Sequence, residues 1–226
     1  VYNKTKVSFT GLAGELVLPE KPEDQGRPSL ISQIARTPFI CGVQAGWAKF
    51  NLCTVHIYYG KGVAIDPRRL EEIETLAALL AKKAKDYINT KAPIDYSPEH
   101  LVLLGDFNIF KRSDATFEAL RKCGFEVPTR LRELPEGSNV PRNKFYDQIA
   151  FFKQKVGIEN SSAGIFDFYK YVFNDPGDFN AIENAPSADD FSDWRTYQMS
   201  DHLIMWSEFD VDQTDVYLKF LSDLNN

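Results

Sequence analysis

The hydrophobic period of the chain switches twice between residues 49 and 104, and that switch limits the folds open to it. Lys49–Tyr59 is rich in β-branched and aromatic side chains, the composition of a strand. From Arg68 to Ile88 the period becomes helical: Leu70, Ile73, Leu76, Ala77, Leu80, Ala84, Tyr87 and Ile88 recur at intervals of three and four. Glu71, Glu72, Lys82, Lys83 and Lys85 then occupy the other faces of an amphipathic helix. Leu101–Leu104 is a wholly apolar run suited to a buried strand. Strands with a long helix lying across them imply a layered α/β or α+β domain.

The remaining pattern fits that class. Lys6–Phe9 and Glu15–Leu18 read as short strands around a turn at Gly11 and Gly14, and Pro19–Pro28 as a polar loop. Ile40–Val43 is a strand that turns at Ala45–Trp47 into the next one. Ser113 or Asp114 caps a short helix running through Lys122, and Gly124 closes it. Tyr146–Phe152 and His202–Phe209 are strand candidates, and Gln213–Leu224 reads as a terminal helix. No repeat of fixed period occurs, and no Gly-rich loop joins a strand to a helix, so a dinucleotide or P-loop site has no support.

Four segments carry residues able to do chemistry. In Leu103-Leu104-Gly105-Asp106-Phe107-Asn108, an acid and an amide two apart project from the same side of an extended chain. Asp106 can take a proton from a water while Asn108 holds that water or a phosphate oxygen; the plainer reading is an Asx-turn at a strand end. Ser200-Asp201-His202 precedes a strand, where Asp201 and His202 can serve a metal and a phosphate, or simply form a polar turn. His56 lies within an apolar strand, the usual place for a core histidine. Asp147 interrupts the apolar run Tyr146–Phe151, and a carboxylate there needs a partner. Of the three histidines, His100 falls in a loop beside Pro98, which leaves His56 and His202; Asp147 with His202 is the economical pairing.

In order, these are a strand histidine, Gly-Asp-x-Asn, a strand aspartate and Ser-Asp-His, separated by about 50, 40 and 54 residues. Together with Arg36-Thr37-Pro38-Phe39 and Tyr146-Asp147-Gln148-Ile149, this arrangement resembles the endonuclease/exonuclease/phosphatase family of DNase I-like proteins. The resemblance covers most of the chain. It implies a four-layered α/β sandwich, two packed mixed sheets flanked by helices, that hydrolyses phosphate esters with Mg²⁺, Mn²⁺ being an alternative. Carried over by position, Asp106 activates or orients the attacking water with support from Asn108. His202, oriented by Asp147, contacts the scissile phosphate, His56 contacts the phosphate or aids the leaving group, and Asp201 lies at the metal. The family's N-terminal strands, one bearing an Asn and one ending in Gln-Glu, have no counterpart, and no Gln-Glu dipeptide occurs in the sequence. The resemblance therefore implies an upstream or separate N-terminal segment that completes the sheet. The only methionines are Met199 and Met205, so Val1 follows a removed initiator or lies inside a longer protein; the missing strands favour the latter.

Charge narrows the partners. Residues 167–226 hold 13 acidic and three basic residues, whereas the first 166 hold 19 acidic and 23 basic. A polyanion can approach the first two-thirds, without the strong basic excess that grips duplex DNA regardless of sequence. Lys111 and Arg112 after the Gly-Asp-Phe-Asn turn, Arg142 and Lys144 before Asp147, and Arg36 are the basic residues placed to reach a phosphodiester. Tyr58, Tyr59 and Trp194 are aromatics that can stack on a base. The expected substrate is nucleic acid. The alternatives are a phosphorylated lipid headgroup or small phosphate ester, and a non-catalytic binding domain of the same fold. Cys41, Cys53 and Cys123 are odd in number and lack Cys-x-x-Cys spacing, which argues against a disulfide framework or zinc and for a reducing, cytoplasmic setting. No stretch reaches the roughly 18 apolar residues of a membrane span.

Overall fold

A computed structural model of the chain describes residues 1–19, 33–46, 48–90, 99–153, 158–181, 191–212 and 214–224. Most of the expected Pro19–Pro28 loop, Trp47, Pro98 and Gln213 lie outside the described residues. Six strands form one mixed sheet in the order β1-β2-β3-β4-β6-β5: β1 Val7–Glu15, β2 Phe39–Ala45, β3 Ala48–His56, β4 Glu99–Asp106, β5 Phe125–Glu126 and β6 Asp147–Phe152. A second sheet pairs β7 Glu159–Phe166 with β8 Ile204–Asp210, antiparallel. The helices are α1 Pro67–Thr90, α2 Ala115–Lys122, α3 Thr129–Arg132, α4 Pro176–Asn180, α5 Phe191–Gln198 and α6 Thr214–Leu224.

β2 turns directly back into β3, but β3 and β4 are parallel, so the chain must cross over between them, and α1 makes that crossing. Cys53 and Val55 of β3 and Leu101 and Leu103 of β4 alternate onto one sheet face. There they pack in a single core with Ile73, Leu76, Ala77 and Leu80 of α1 and Phe117 and Leu120 of α2. Burying each large apolar side chain contributes about 1.5–3 kcal/mol, which fixes α1 and α2 to that face. The opposite face meets the second sheet, where the Phe151 ring of β6 lies 4.8 Å from Phe209 of β8. Helices, a six-stranded mixed sheet and a further sheet thus stack as the expected α/β sandwich, the second sheet having two antiparallel strands among the described residues.

Several local readings differ from the sequence expectation. Residues 7–15 are one strand rather than two around a turn. Gly11 takes φ +95°, and the register with β2 shifts between Phe9 and Ala13, so Gly11 marks a bulge while Gly14 pairs regularly with Ile40. His100 is within β4, not a loop, and is 4% exposed. Glu72, expected on a solvated helix face, is fully buried beside Arg69. Its Oε1 accepts the Ala35 N–H at 3.1 Å and its Oε2 the Tyr58 N–H at 3.0 Å. Arg69 donates from Nε to the Tyr58 carbonyl (3.2 Å), from Nη1 to those of Val63 (3.0 Å) and Ala64 (3.3 Å), and from Nη2 to that of Tyr59. Asp66 caps α1, its Oδ1 accepting the N–H groups of Arg68 and Arg69. These three charged side chains tie the segment 58–66 to the start of α1. The short α2 runs through Lys122 as read from the sequence, with Gly124 at φ +92° just beyond it; Asp114 stands at its N-cap position, but its Oδ2 accepts the Lys111 N–H rather than one of the helix.

Two outcomes follow from this packing. Gly105 sits at φ +128°, and a Cβ there would run into the Val55 carbonyl of β3. Gly105→Ala should lower the unfolding free energy by at least about 2 kcal/mol in urea titrations; an unchanged midpoint would contradict the placement. Burial pushes the His100 pKa down from 6.5 to about 4. The unfolded chain therefore binds a proton between pH 6.5 and 4 that the folded chain does not. The stability linked to His100 is complete above pH 6.5 and declines as pH falls toward 4, by roughly 3 kcal/mol. Across that window His100→Phe should lose less stability than the parent, measured by denaturation at each pH.

Candidate active site

Strand register assembles the first part of the site. In the parallel β3–β4 pair His56 stands opposite Asp106, and in the antiparallel β4–β6 pair Asp106 stands opposite Asp147. Three residues distant in sequence therefore share one row at one end of the sheet. The chain leaving β4 is locked there. The Ile57 N–H donates to the Asp106 carbonyl at 2.8 Å, and the Phe107 N–H to that of Tyr146 at 2.8 Å. Asn108 is 3% exposed at φ +53°; its N–H donates to Asp106 Oδ1 at 2.7 Å and its Nδ2 to the Ile57 carbonyl at 2.7 Å. Asn108 therefore holds the Asp106 carboxylate and joins the ends of β3 and β4.

A loop brings His202 to the same row. Asn139 and His202 form an isolated antiparallel bridge, the Leu203 N–H donates to the Ser138 carbonyl at 2.6 Å, and the Val140 N–H to the Asp201 carbonyl at 3.0 Å. Ser200 Oγ accepts the His202 N–H at 3.0 Å, while the Tyr169 hydroxyl donates to the Ser200 carbonyl at 2.7 Å. His202 Nδ1 lies 2.8 Å from Asp147 Oδ2, the pairing expected from the sequence. Asp147 is itself held by its N–H donating to Ser138 Oγ at 3.0 Å. The Tyr146 ring stacks on the imidazole at 5.4 Å and 24°. His56 Nε2 is 3.4 Å from Asp106 Oδ2. Among the described residues, Asp106, Asp147 and His202 converge so that one potential ligand atom from each lies within 4.8 Å of the others.

The environments of these groups separate their proton affinities. Desolvation lifts the Asp106 pKa to about 6, aided by the Asp147 charge and opposed by the Asn108 N–H, His202 and Arg36. Burial by itself would depress His202, but the hydrogen bond and charge of Asp147, with Asp106 and Asp201, raise it to about 9. Desolvation, with the nearby charges of Arg36 and His202, lowers His56. At neutral pH the row thus offers a carboxylate able to accept a proton, an imidazolium able to bind an anion or give up a proton, and a neutral imidazole. Two carboxylates crowded into a partly dehydrated place also suit a hard divalent cation, which takes oxygen ligands.

The other expected residues divide by what they touch. Arg36 and Lys111 are exposed, and Asp201 is exposed outside the three-residue cluster. Lys144 extends over the Phe110 ring, its Nζ 4.3 Å from the centroid. Arg112 donates to the carbonyls of Leu134 (2.7 Å) and Leu131 (2.9 Å) and lies over Phe145, so its guanidinium binds the fold. Arg142 bridges Glu136 and Asp167. Ser138, Asn139 and Arg69 have no place in the sequence reading, and Tyr146 enters it only within the run Tyr146-Asp147-Gln148-Ile149. Buried Asn139 accepts the N–H groups of Asn143 and Lys144 and so shapes the loop leading to Asp147. Its only trace in the sequence is the turn-like run Glu136-Gly137-Ser138-Asn139.

No protein-family model matches the sequence, and no curated protein matches it. Solved structures do resemble it in shape. A functionally unknown conserved protein from Enterococcus faecalis V583 aligns with TM-score 0.54 and 16% identity, over 92% of this chain and 69% of its own. The human Nocturnin catalytic domain with bound sulfate aligns at 0.51 and 12%, over 92% and 61%. D. rerio TDP2 complexed with a single-strand DNA product aligns at 0.50 and 13%, over 92% and 70%. The mixed sheet with its helices and second sheet is common to this set, and the chain has the DNase I-like fold.

Proposed function

We propose that the chain is a metal-assisted phosphodiester hydrolase acting on nucleic acid. The observation that carries this reading is Asp106, with its pKa raised to about 6, beside a His202–Asp147 pair whose imidazole is raised to about 9. Asp106, held by the Asn108 N–H, takes a proton from the attacking water as its oxygen bonds to phosphorus and the bond to the leaving oxygen breaks. His202, held by Asp147, meets the charge that develops on the phosphate, and His56 contacts the phosphate or assists the leaving oxygen. Asp106 and Asp147 would supply oxygen donors to Mg²⁺ or Mn²⁺, with the charge of Asp201 near by, and such an ion would offset charge on the phosphate oxygens. Arg36, Lys111 and Lys144 would meet the polyanion, with Arg112 and Arg142 holding the loops behind them. The DNA product on D. rerio TDP2 and the sulfate on human Nocturnin support a phosphate-ester substrate.

Hydrolysis of a single-stranded oligonucleotide, followed with Mg²⁺ or with EDTA, tests this directly. The parent should turn over only with the metal, and Asp106→Ala should lose about 10²–10⁴-fold in kcat. A parent inert on oligonucleotide, lipid-headgroup and generic diesters alike would leave a binding domain instead. In metal-free protein the His202 imidazole should titrate near 9 by NMR, and Asp147→Asn should bring that midpoint down toward 6.5. If the midpoint stays put in Asp147→Asn, the pair does not orient the histidine electrostatically. Replacing Lys111 and Lys144 by Gln should reduce the slope of log affinity against log salt by about two.

A further inference from the structure

Beside the catalytic row stands an aromatic wall that the chemistry above does not use. Tyr146, stacked on His202, meets Tyr59 edge-on at 6.2 Å and 85°. Phe110 lies against both, stacked on Tyr59 at 6.2 Å and 21° and edge-on to Tyr146 at 5.4 Å and 77°. The Arg69 guanidinium carbon backs the group, 5.1 Å from the Phe110 centroid and 5.9 Å from that of Tyr59. Phe110 is 6% exposed and serves as support, whereas Tyr59 is 43% exposed. The Tyr59 backbone is fixed as well. Arg69 holds its carbonyl, and the chain turns at Gly60, at φ +74°, where a Cβ would strike Asp66. A large flat ring is thus held rigid at the surface, two ring contacts from His202.

The other candidate aromatics are committed elsewhere. Trp194 packs among Phe173, Phe179 and Phe191, and the Arg68 guanidinium covers Tyr58 at 4.3 Å. A preorganised exposed tyrosine loses little conformational freedom on contact, and any base presents a face to stack on it. We infer that Tyr59 is a stacking subsite for a planar heterocycle, the base of the nucleotide next to the scissile phosphate. This rests on the phosphodiesterase reading above and selects nucleotides over ring-free or saturated phosphate esters.

The test is the binding of thymidine 5′-monophosphate, inositol 1-phosphate and inorganic phosphate to the full chain with Mg²⁺, by calorimetry. The parent should bind the nucleotide about tenfold more tightly than phosphate. Tyr59→Ala should lose most of that preference while its Kd for phosphate is unchanged, and Tyr59→Phe and Tyr59→Trp should keep it. A preference untouched in Tyr59→Ala, or inositol 1-phosphate bound as tightly as the nucleotide, would overturn the subsite alone. A parent that binds none of the three would sink the phosphodiesterase reading, and the subsite with it.

Discussion

The whole site depends on the pairing register of β3, β4 and β6. Side chains alternate between the faces of a strand, so a slip of one residue in either pairing would turn Asp106 away from His56 or Asp147. The register is held because the same alternation places Cys53, Leu103 and Ala150 in the core on the other face. Burial of the apolar residues and alignment of the polar row are thus one constraint. Gly105 makes it possible, since only a residue without a side chain lets the Val55 backbone come so close.

A second constraint sits behind the row. Arg69 and Glu72 are charged and fully buried, which costs several kcal/mol per ion unless their hydrogen-bonding groups find partners. They find them in backbone groups of Tyr58, Tyr59, Val63, Ala64 and Ala35, so the charges impose one path on the chain leaving β3. That path fixes where Tyr59 stands and connects the crossover helix to the mouth of the site. The charges organise the chain where apolar packing cannot, because backbone groups must be satisfied there.

The chemistry then comes from environment more than from residue type. Asp106 and Asp147 are the same amino acid in neighbouring strands. Burial raises the proton affinity of one, while the other faces an imidazole and raises the affinity of that ring instead. Asn108 illustrates a division of labour: its amide is bonded to Ile57 and its N–H to Asp106, so it acts on the carboxylate rather than in place of it.

Much of this was legible in the sequence, for identifiable reasons. Apolar periodicity over 68–88 and the runs at 49–59 and 101–104 are local signals, and they located α1, β3 and β4 because burial on one face demands that spacing. Asp147, a lone carboxylate in an apolar strand, announced its need for a partner, and three histidines left few to choose from. Tertiary structure alone decided that His56, Asp106 and Asp147 share a row, since strand register is set between segments and not within them. It also decided that Glu72 and Arg69 are buried, that Arg112 and Arg142 bind the fold, and that Tyr59 rather than Trp194 stands exposed against Tyr146, the ring that stacks on His202. The sequence by itself determined which residues could do chemistry and which segments must be buried. Which of them meet, and with what proton affinity, depends on desolvation and on contacts across strands, and these exist only once the chain has folded.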